Sequence, residues 1–365
     1  MRRRQFLTTT LGGIGSGLVL SSLGRVSWAA SADQECLMPW KSDTPMMSWP
    51  KKAPPYRIAL SNSYIGNTWR TEMVQIAKAY SEQDDVKKYI KEFRVSSSGN
   101  DVNAQIAQMN QMILGGVDAI VTDAASPTGL NSVIEQAVDA GVLVVSFDNV
   151  VTTDKAVTVN EDQYEMGKQW AEFLVKQTGG KGHILMVRGV AGTFVDKERT
   201  RGGHDVFDKH PDIKTTEVYG KWDDGTAQKV TANALASSPD IVAVWCQGGD
   251  TGVVRAFQQA DKKIPPIAGE AENGFRKLAA EHKFPILSIG QSPALSALSI
   301  KVAIDLLQGK KVPREISVPL PTATTDTLKA GENYFPDQPD SFFTPINIDP
   351  CDLKFDVNHI LNQKV

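Results

Sequence analysis

The chain has 365 residues, 41% of them apolar and 22% charged, with a formal net charge of −3. That length exceeds a usual single domain and that balance can bury a sizeable core, which excludes a disordered chain and makes two domains the expectation. Residues 1–32 carry Arg2, Arg3, Arg4 and Arg25 and no acid, so 35 basic residues face 42 acidic ones beyond Ala32, a net of about −7; a surface of that sign excludes broad binding to nucleic acid or anionic membrane.

The chain opens on an address. Arg2–Arg4 are followed by a mildly apolar, glycine-diluted run from Leu7 to Leu23, and Ala30-Ser31-Ala32 offers a small-residue cleavage site. Arg3-Arg4-Gln5-Phe6-Leu7 resembles the twin-arginine export signal, which implies export of an already folded protein to the periplasm. Residues 1–32 are therefore assigned as an export signal, and 33–52 as an extended, proline-rich N-terminal arm. Cys36 in that arm and Cys351 near the other end are candidates to pair in an oxidising compartment. Cys246, at the edge of the apolar run Ile241–Trp245, reads as a buried thiol.

Regular structure begins at Tyr56. The apolar run Tyr56–Leu60 predicts a strand that empties into Ser61, Asn62, Asn67, Trp69 and Arg70, and a helical pattern follows on Met73, Ile76, Ala77 and Tyr80. Short neutral hydrogen-bonding groups beside a flat aromatic face suit an uncharged, polyhydroxylated small molecule, bound where α/β sheets place ligands. Strands are predicted over Phe93–Ser96, Ala119–Val121 and Val142–Phe147, with helices between them that stop at Gly115-Gly116 and Gly141. The alternation then restarts, with strands over His183–Val187, Thr215–Tyr219, Ile241–Trp245, Ile267-Ala268 and Ile286–Ile289, and a last helix over Pro293–Gln308. So many strand–helix units suit two parallel sheets, with a (β/α) barrel as the competing architecture.

From Tyr56 to about Pro319 the chain resembles the periplasmic sugar-binding proteins of the ribose-binding type, the solute receptors of ABC importers, because several loops occur in that family's order, each behind a predicted strand. The resemblance implies the α/β fold of a type I periplasmic binding protein: two Rossmann-like domains with parallel sheets, joined by a three-segment hinge and closing on a ligand. It places an N-terminal lobe at 53–160 with 292–322, a C-terminal lobe at 161–291 with 323–345, and a tail at 346–365; the stretch Glu332–Val365 lies outside the resemblance and no ligand role is assigned to it. Ser61, Asn67 and Trp69 stand at the first binding loop, with Arg70 where a second aromatic is frequent, a change expected to admit a larger or more acidic ligand. Asp123 ends one strand, and Asp148-Asn149 resembles an Asp-Arg pair that has lost its arginine. The segment Gly192–Gly202 directs Arg199 toward the ligand, and Trp222 matches the second-domain aromatic, expected to face Trp69 across the cleft. Gln247-Gly248-Gly249-Asp250 replaces a Gln-Asn-Asp loop, which implicates Gly249 and leaves Asp250 as a helix cap. Either Glu270 or Glu272 supplies a carboxylate; Glu270 is the one assigned to the site. Gln291 matches a glutamine at the last interdomain crossing.

Other chemistry finds little footing. The five histidines are scattered and no Cys-x-x-Cys occurs, so no metal site is expected. The glycine-rich run at Gly12–Gly17 follows no strand, and phosphate-binding and nucleophile-elbow motifs are missing, so no cofactor is expected and the chain is read as a non-enzyme. The expected partners are a sugar or sugar-like polyol and an ABC transporter permease in the membrane, for a monomer that binds no nucleic acid. The alternatives are a periplasmic sensor for chemotaxis or signalling and a secreted sugar-acting hydrolase, since the separation of a carboxylate pair is a spatial fact.

Overall fold

The computed structural model describes residues 36–365, so the export signal assigned to 1–32 lies outside the described part. Two open sheets form, not one closed barrel. The first runs in the order β1 (Met38–Pro39), β14 (Glu315–Ser317), β7 (Val157–Asn160), β6 (Leu143–Phe147), β5 (Ala119–Asp123), β3 (Tyr56–Asn62), β4 (Ile90–Ser97). The second runs β15 (Thr322–Thr324), β12 (Ile286–Ile289), β11 (Ile267–Gly269), β10 (Ile241–Cys246), β8 (Gly182–Arg188), β9 (Ile213–Tyr219). All pairings in both sheets are parallel except β1 on β14 and β15 on β12, each at an edge.

The apolar runs explain this arrangement. Every residue of β5 and β6 is buried, as strands covered by helices on both faces must be. On one face α1 (Thr68–Glu82) and α9 (Leu295–Leu307) share a core with β3, through Met73, Ile76, Leu298 and Val302 among others. On the other face α2 (Val102–Leu114) and α3 (Asn131–Asp139) pack against Ile120 and Val144. In the second lobe α4 (Gln163–Thr178) and α5 (Phe194–Phe207) cover one face, while α6 (Asp224–Ser237), α7 (Asp250–Gln259) and α8 (Asn273–His282) cover the other. Helix starts carry their own signals: Asn67, Asp101, Asp162, Thr193 and Asp223 each accept a backbone N–H three residues on.

In the first sheet the chain order reverses between β3 and β5, and in the second between β8 and β10, so each lobe has its switch-point crevice at the carboxyl ends of its central strands. The arm contributes β1 to the first sheet, and β2 (Met46–Met47) pairs with β13 (Val312–Pro313). The chain passes between lobes after β7, after β12 and after β14. A further passage comes from the C-terminal segment. Asn273 donates to the carbonyls of Phe335, Gln338 and Pro339, and Arg276 to Thr344, which fixes residues 335–344 to the second lobe. Ile346, Ile348, Leu353 and Ile360 then enter the core of the first lobe. Cys351 is disulfide-bonded to Cys36 in that core, and Cys246 is a buried free thiol. No described helix is long and apolar enough to cross a membrane.

Candidate ligand-binding site

The first wall grows out of β3. Its end and the following turn bring Asn62, Ser63 and Tyr64 beside the start of α1, where Asn67 caps the helix by accepting the Arg70 N–H at 2.9 Å. Trp69 and Arg70 therefore project from a first helical turn whose position is fixed by its own cap. The Arg70 guanidinium is 2% exposed and reaches the carboxylates of Asp123 and, at 3.0 Å, Asp148, with Asn62 Oδ1 at 3.1 Å as a further acceptor. Its flat face lies over Tyr64 and Trp69. Asp148 adopts a left-handed φ of 54°, which turns its side chain back toward the cleft after β6.

The second wall is organised by Arg199, which has no solvent exposure. Helices α4 and α5 cross so closely that a Cβ on Gly167 would stand 2.0 Å from the Arg199 carbonyl oxygen, and this contact sets the depth of the guanidinium. Its Nε donates to Gln163 at 2.8 Å, one terminal nitrogen to the Gln247 carbonyl at 3.1 Å and to Glu270, and the other to Gln291. Gln291, on the crossing after β12, donates to Asp148 and accepts from the Trp69 indole through its carbonyl at 3.1 Å. A continuous polar chain thus runs Arg70–Asp148–Gln291–Arg199–Glu270 through the seam between lobes. Trp222, at φ 57°, lays its indole against Gly189, where a Cβ would stand 2.1 Å away, and its buried Nε1 has no hydrogen-bond partner.

Asn67, Trp69, Arg70, Asp148, Val195, Trp222, Gly248, Glu270, Gln291 and Phe343 enclose one small cavity. The space between them is about 20 Å³, the scale of a water molecule, which needs roughly 10–15 Å³. Anything larger than a water molecule therefore enters only when the lobes part. A wider groove of about 410 Å³ lies beside the first crossing, between Val150–Asp154 and α5. Its rim includes the exposed Thr152, Asp154 and Arg201, and the polar chain through the seam does not face it.

Of the residues proposed from sequence, Asn67, Trp69, Arg70, Asp148, Trp222, Glu270 and Gln291 line this cavity. Five others lie behind or beside it. Ser61 turns into the first lobe, where its hydroxyl accepts from Gln105 at 3.2 Å. Asp123 sits under Arg70 with Oδ1 unpartnered. Asn149 accepts the Val195 N–H at 3.1 Å and so clasps one lobe to the other. Arg199 stands behind Glu270 and Gln291. Gly249 takes a φ of 80° before α7, and its neighbour Gly248 is the one on the wall. Glu272 turns away and accepts from the Thr251 N–H and hydroxyl at 3.0 and 2.7 Å. Asp250 is not the helix cap expected of it; Gly249 holds that position, and the Asp250 carboxylate accepts the Glu270 N–H at 3.2 Å.

Charge corrects one expectation. Arg70 is already spent on two carboxylates and Arg199 on a third, so Asp123, Asp148 and Glu270 outnumber the guanidiniums. The wall suits a neutral ligand and not a more acidic one. Burial raises the Glu270 carboxyl despite Arg199 beside it, and pushes Glu161, just behind the seam, well above the usual carboxylate range. Val195 and Phe343 were missed from the sequence. Val195 is an apolar residue inside a loop read for its arginine, and Phe343 lies in the segment left without a role.

Residues 58–311 match the sequence profile of a family described as periplasmic binding protein domain. The ribose import binding protein of Bacillus subtilis (strain 168) is 26% identical over 272 residues, covering 74% of this chain and 87% of its own. The xylitol-binding protein of Mycolicibacterium smegmatis is 27% identical over 240 residues, covering 64% and 68%. Among solved structures, an ABC transporter solute binding protein from Thermobispora bispora is 31% identical with a TM-score of 0.70, covering 73% of this chain and 84% of that one.

Proposed function

The chain belongs to the periplasmic binding protein domain family, and from that premise we propose that it is the solute-binding receptor of an ABC importer, capturing a sugar or sugar-like polyol between its lobes and delivering it to a membrane permease. The observation that carries this reading is the polar chain Arg70–Asp148–Gln291–Arg199–Glu270, which runs along a cavity that Trp69 and Trp222 also line, where the switch-point crevices of both lobes meet. Donors and acceptors alternate along it, as a ring with several hydroxyls requires, because each buried hydroxyl left unpaired costs roughly 1–3 kcal/mol. Indole faces complement the apolar C–H faces of such a ring. The relatives named for ribose and xylitol, and the one named as an ABC transporter component, support the ligand class and the transport role.

The protein works in the periplasm as a monomer and carries out no chemistry. Asp148 is held by the Arg70 guanidinium and the Gln291 amide, and Glu270 by the Arg199 guanidinium, which leaves neither free to act as the acid or base of a hydrolase. Lobe opening admits the ligand, and closure rebuilds the polar chain around its hydroxyls, the form that a permease would recognise.

A thermal-shift screen over pentoses, hexoses, polyols and cyclitols tests this reading. A true ligand at one hundred times its Kd adds about 2.7 kcal/mol to the stability of the folded state and raises the Tm accordingly. Failure of every sugar and polyol to move the Tm would sink the proposal.

A further inference from the structure

The C-terminal segment lies beyond the matched residues 58–311, yet it reaches the centre of the molecule. Residues 335–344 are fixed to the second lobe through Asn273 and Arg276, and Phe343 forms an antiparallel bridge with Glu272. The next link goes the other way: the Phe343 N–H donates at 2.9 Å to the buried carboxyl of Glu72 on α1, in the first lobe. Pro345 then packs over the hinge, where a Cβ on Gly290 would stand 2.9 Å from its ring. The disulfide from Cys351 to Cys36 anchors the end of the segment to the first lobe. Phe343 is therefore held from both lobes at the seam, and its ring, 5% exposed, lines the ligand cavity with Trp69 and Trp222.

We propose that Phe343 is a specificity-determining residue that touches the bound ligand, delivered by a C-terminal fourth crossing, and that it selects sugars with no hydroxyl on the edge facing it. The inference rests on the reading of the cleft as a sugar site. A phenyl ring offers neither donor nor acceptor, whereas Arg70, Asp148, Glu270 and Gln291 on the same cavity offer both. A hydroxyl or hydroxymethyl turned toward the ring would be buried without a partner, so a pentose or a 6-deoxy sugar binds better than the corresponding hexose.

The test titrates the full mature protein calorimetrically with sets differing in one exocyclic group: D-ribose and D-allose, D-xylose and D-glucose, and L-arabinose, D-fucose and D-galactose. Wild type is expected to favour the pentose or deoxy member of its best-bound set at least tenfold. Phe343→Leu and Phe343→Tyr, close to the native volume, are expected to change that ratio at least tenfold in one variant while the Tm without sugar moves by only a few degrees. Ratios unchanged within threefold, with affinities merely scaled together, would assign Phe343 a structural role and overturn the inference. Hydrogen exchange on wild type needs no variant: the bound sugar is expected to slow exchange at residues 342–346, and unchanged exchange there counts against contact. A wild type that binds none of these sugars overturns this inference, and one that also fails with every sugar and polyol of the thermal-shift screen overturns the proposed function with it. A wild type that binds one, beside variants of unaltered ranking, overturns this inference alone.

Discussion

Arg199 and Trp222 both belong to the cleft, but they answer to different physics. Arg199 is fully buried among Gln163, Gln247, Glu270 and Gln291, and its removal leaves the Glu270 carboxylate buried without a cation. Arg199→Met is expected to lower stability by about 3–5 kcal/mol, measured by denaturant unfolding without sugar; a loss under about 1 kcal/mol would show that Glu270 simply takes up a proton. Trp222 is half-buried, rests on Gly189 and keeps its indole N–H free. Trp222→Ala is expected to weaken the best sugar about 10- to 100-fold, the worth of a lost aromatic face and one hydrogen bond, with the Tm without sugar within a few degrees of wild type. Asp148 does not share that independence. With Arg70, Asn149 and Gln291 all on its carboxylate, Asp148→Ala is expected to cost both affinity and stability, and equal Tm values for variant and wild type would contradict the network.

At the scale of elements, the legible part of the sequence is the part that local pattern determines. The all-buried strands β5 and β6 announce themselves by their apolar stretches Ala119–Val121 and Leu143–Val145, and Asn67, Asp148 and Trp222 follow strand ends where the fold must put a crevice. The features that escape are decided by neighbours distant in the chain. Ser61 is as polar as Asn67, but Gln105 from α2 draws it inward; Glu272 is two residues from Glu270, but Thr251 on α7 draws it away. The strands β1, β2, β7, β13, β14 and β15 have two to four residues each, too few for a period to show. The C-terminal segment has no periodicity to betray its path through the seam, and its anchor can be tested. The disulfide spans 315 residues, so replacing Cys36 and Cys351 by serine is expected to cost about 2–4 kcal/mol by freeing the unfolded chain. Denaturant unfolding of the double variant measures this, and free-thiol titration of denatured wild type should find Cys246 alone.

Across the whole molecule, the seam between lobes holds acids whose pKa burial raises. Glu72, which receives the Phe343 N–H, and Glu161, which receives the Ser292 N–H at 3.0 Å, are both pushed well above the usual carboxylate range, chiefly by burial. Asp250 and Glu272, inside the second lobe, are raised for the same first reason. A carboxyl whose pKa is higher folded than unfolded binds more protons in the folded state at every pH between the two values, so stability is highest below the unfolded value of about 4.5 and falls as pH rises above it. Each such group contributes a slope of up to about 1.4 kcal/mol per pH unit until its folded pKa is passed. The sugar-free protein is therefore expected to lose stability steadily from mildly acidic to alkaline pH. Glu72 and Glu161 are buried where segments cross between lobes, and an ionised carboxyl there regains hydration when the lobes part, so their ionisation favours opening of the cleft although each N–H bond taken alone favours the charged form. Glu72→Gln and Glu161→Gln keep the shape and remove the proton equilibrium, so each is expected to flatten the fall of unfolding free energy with pH, measured from pH 5 to 9 by denaturant titration. Sugar affinity should take the same course, weakening toward alkaline pH in wild type and less so in the double variant; parallel pH profiles for the two proteins would show that these acids do not control the seam.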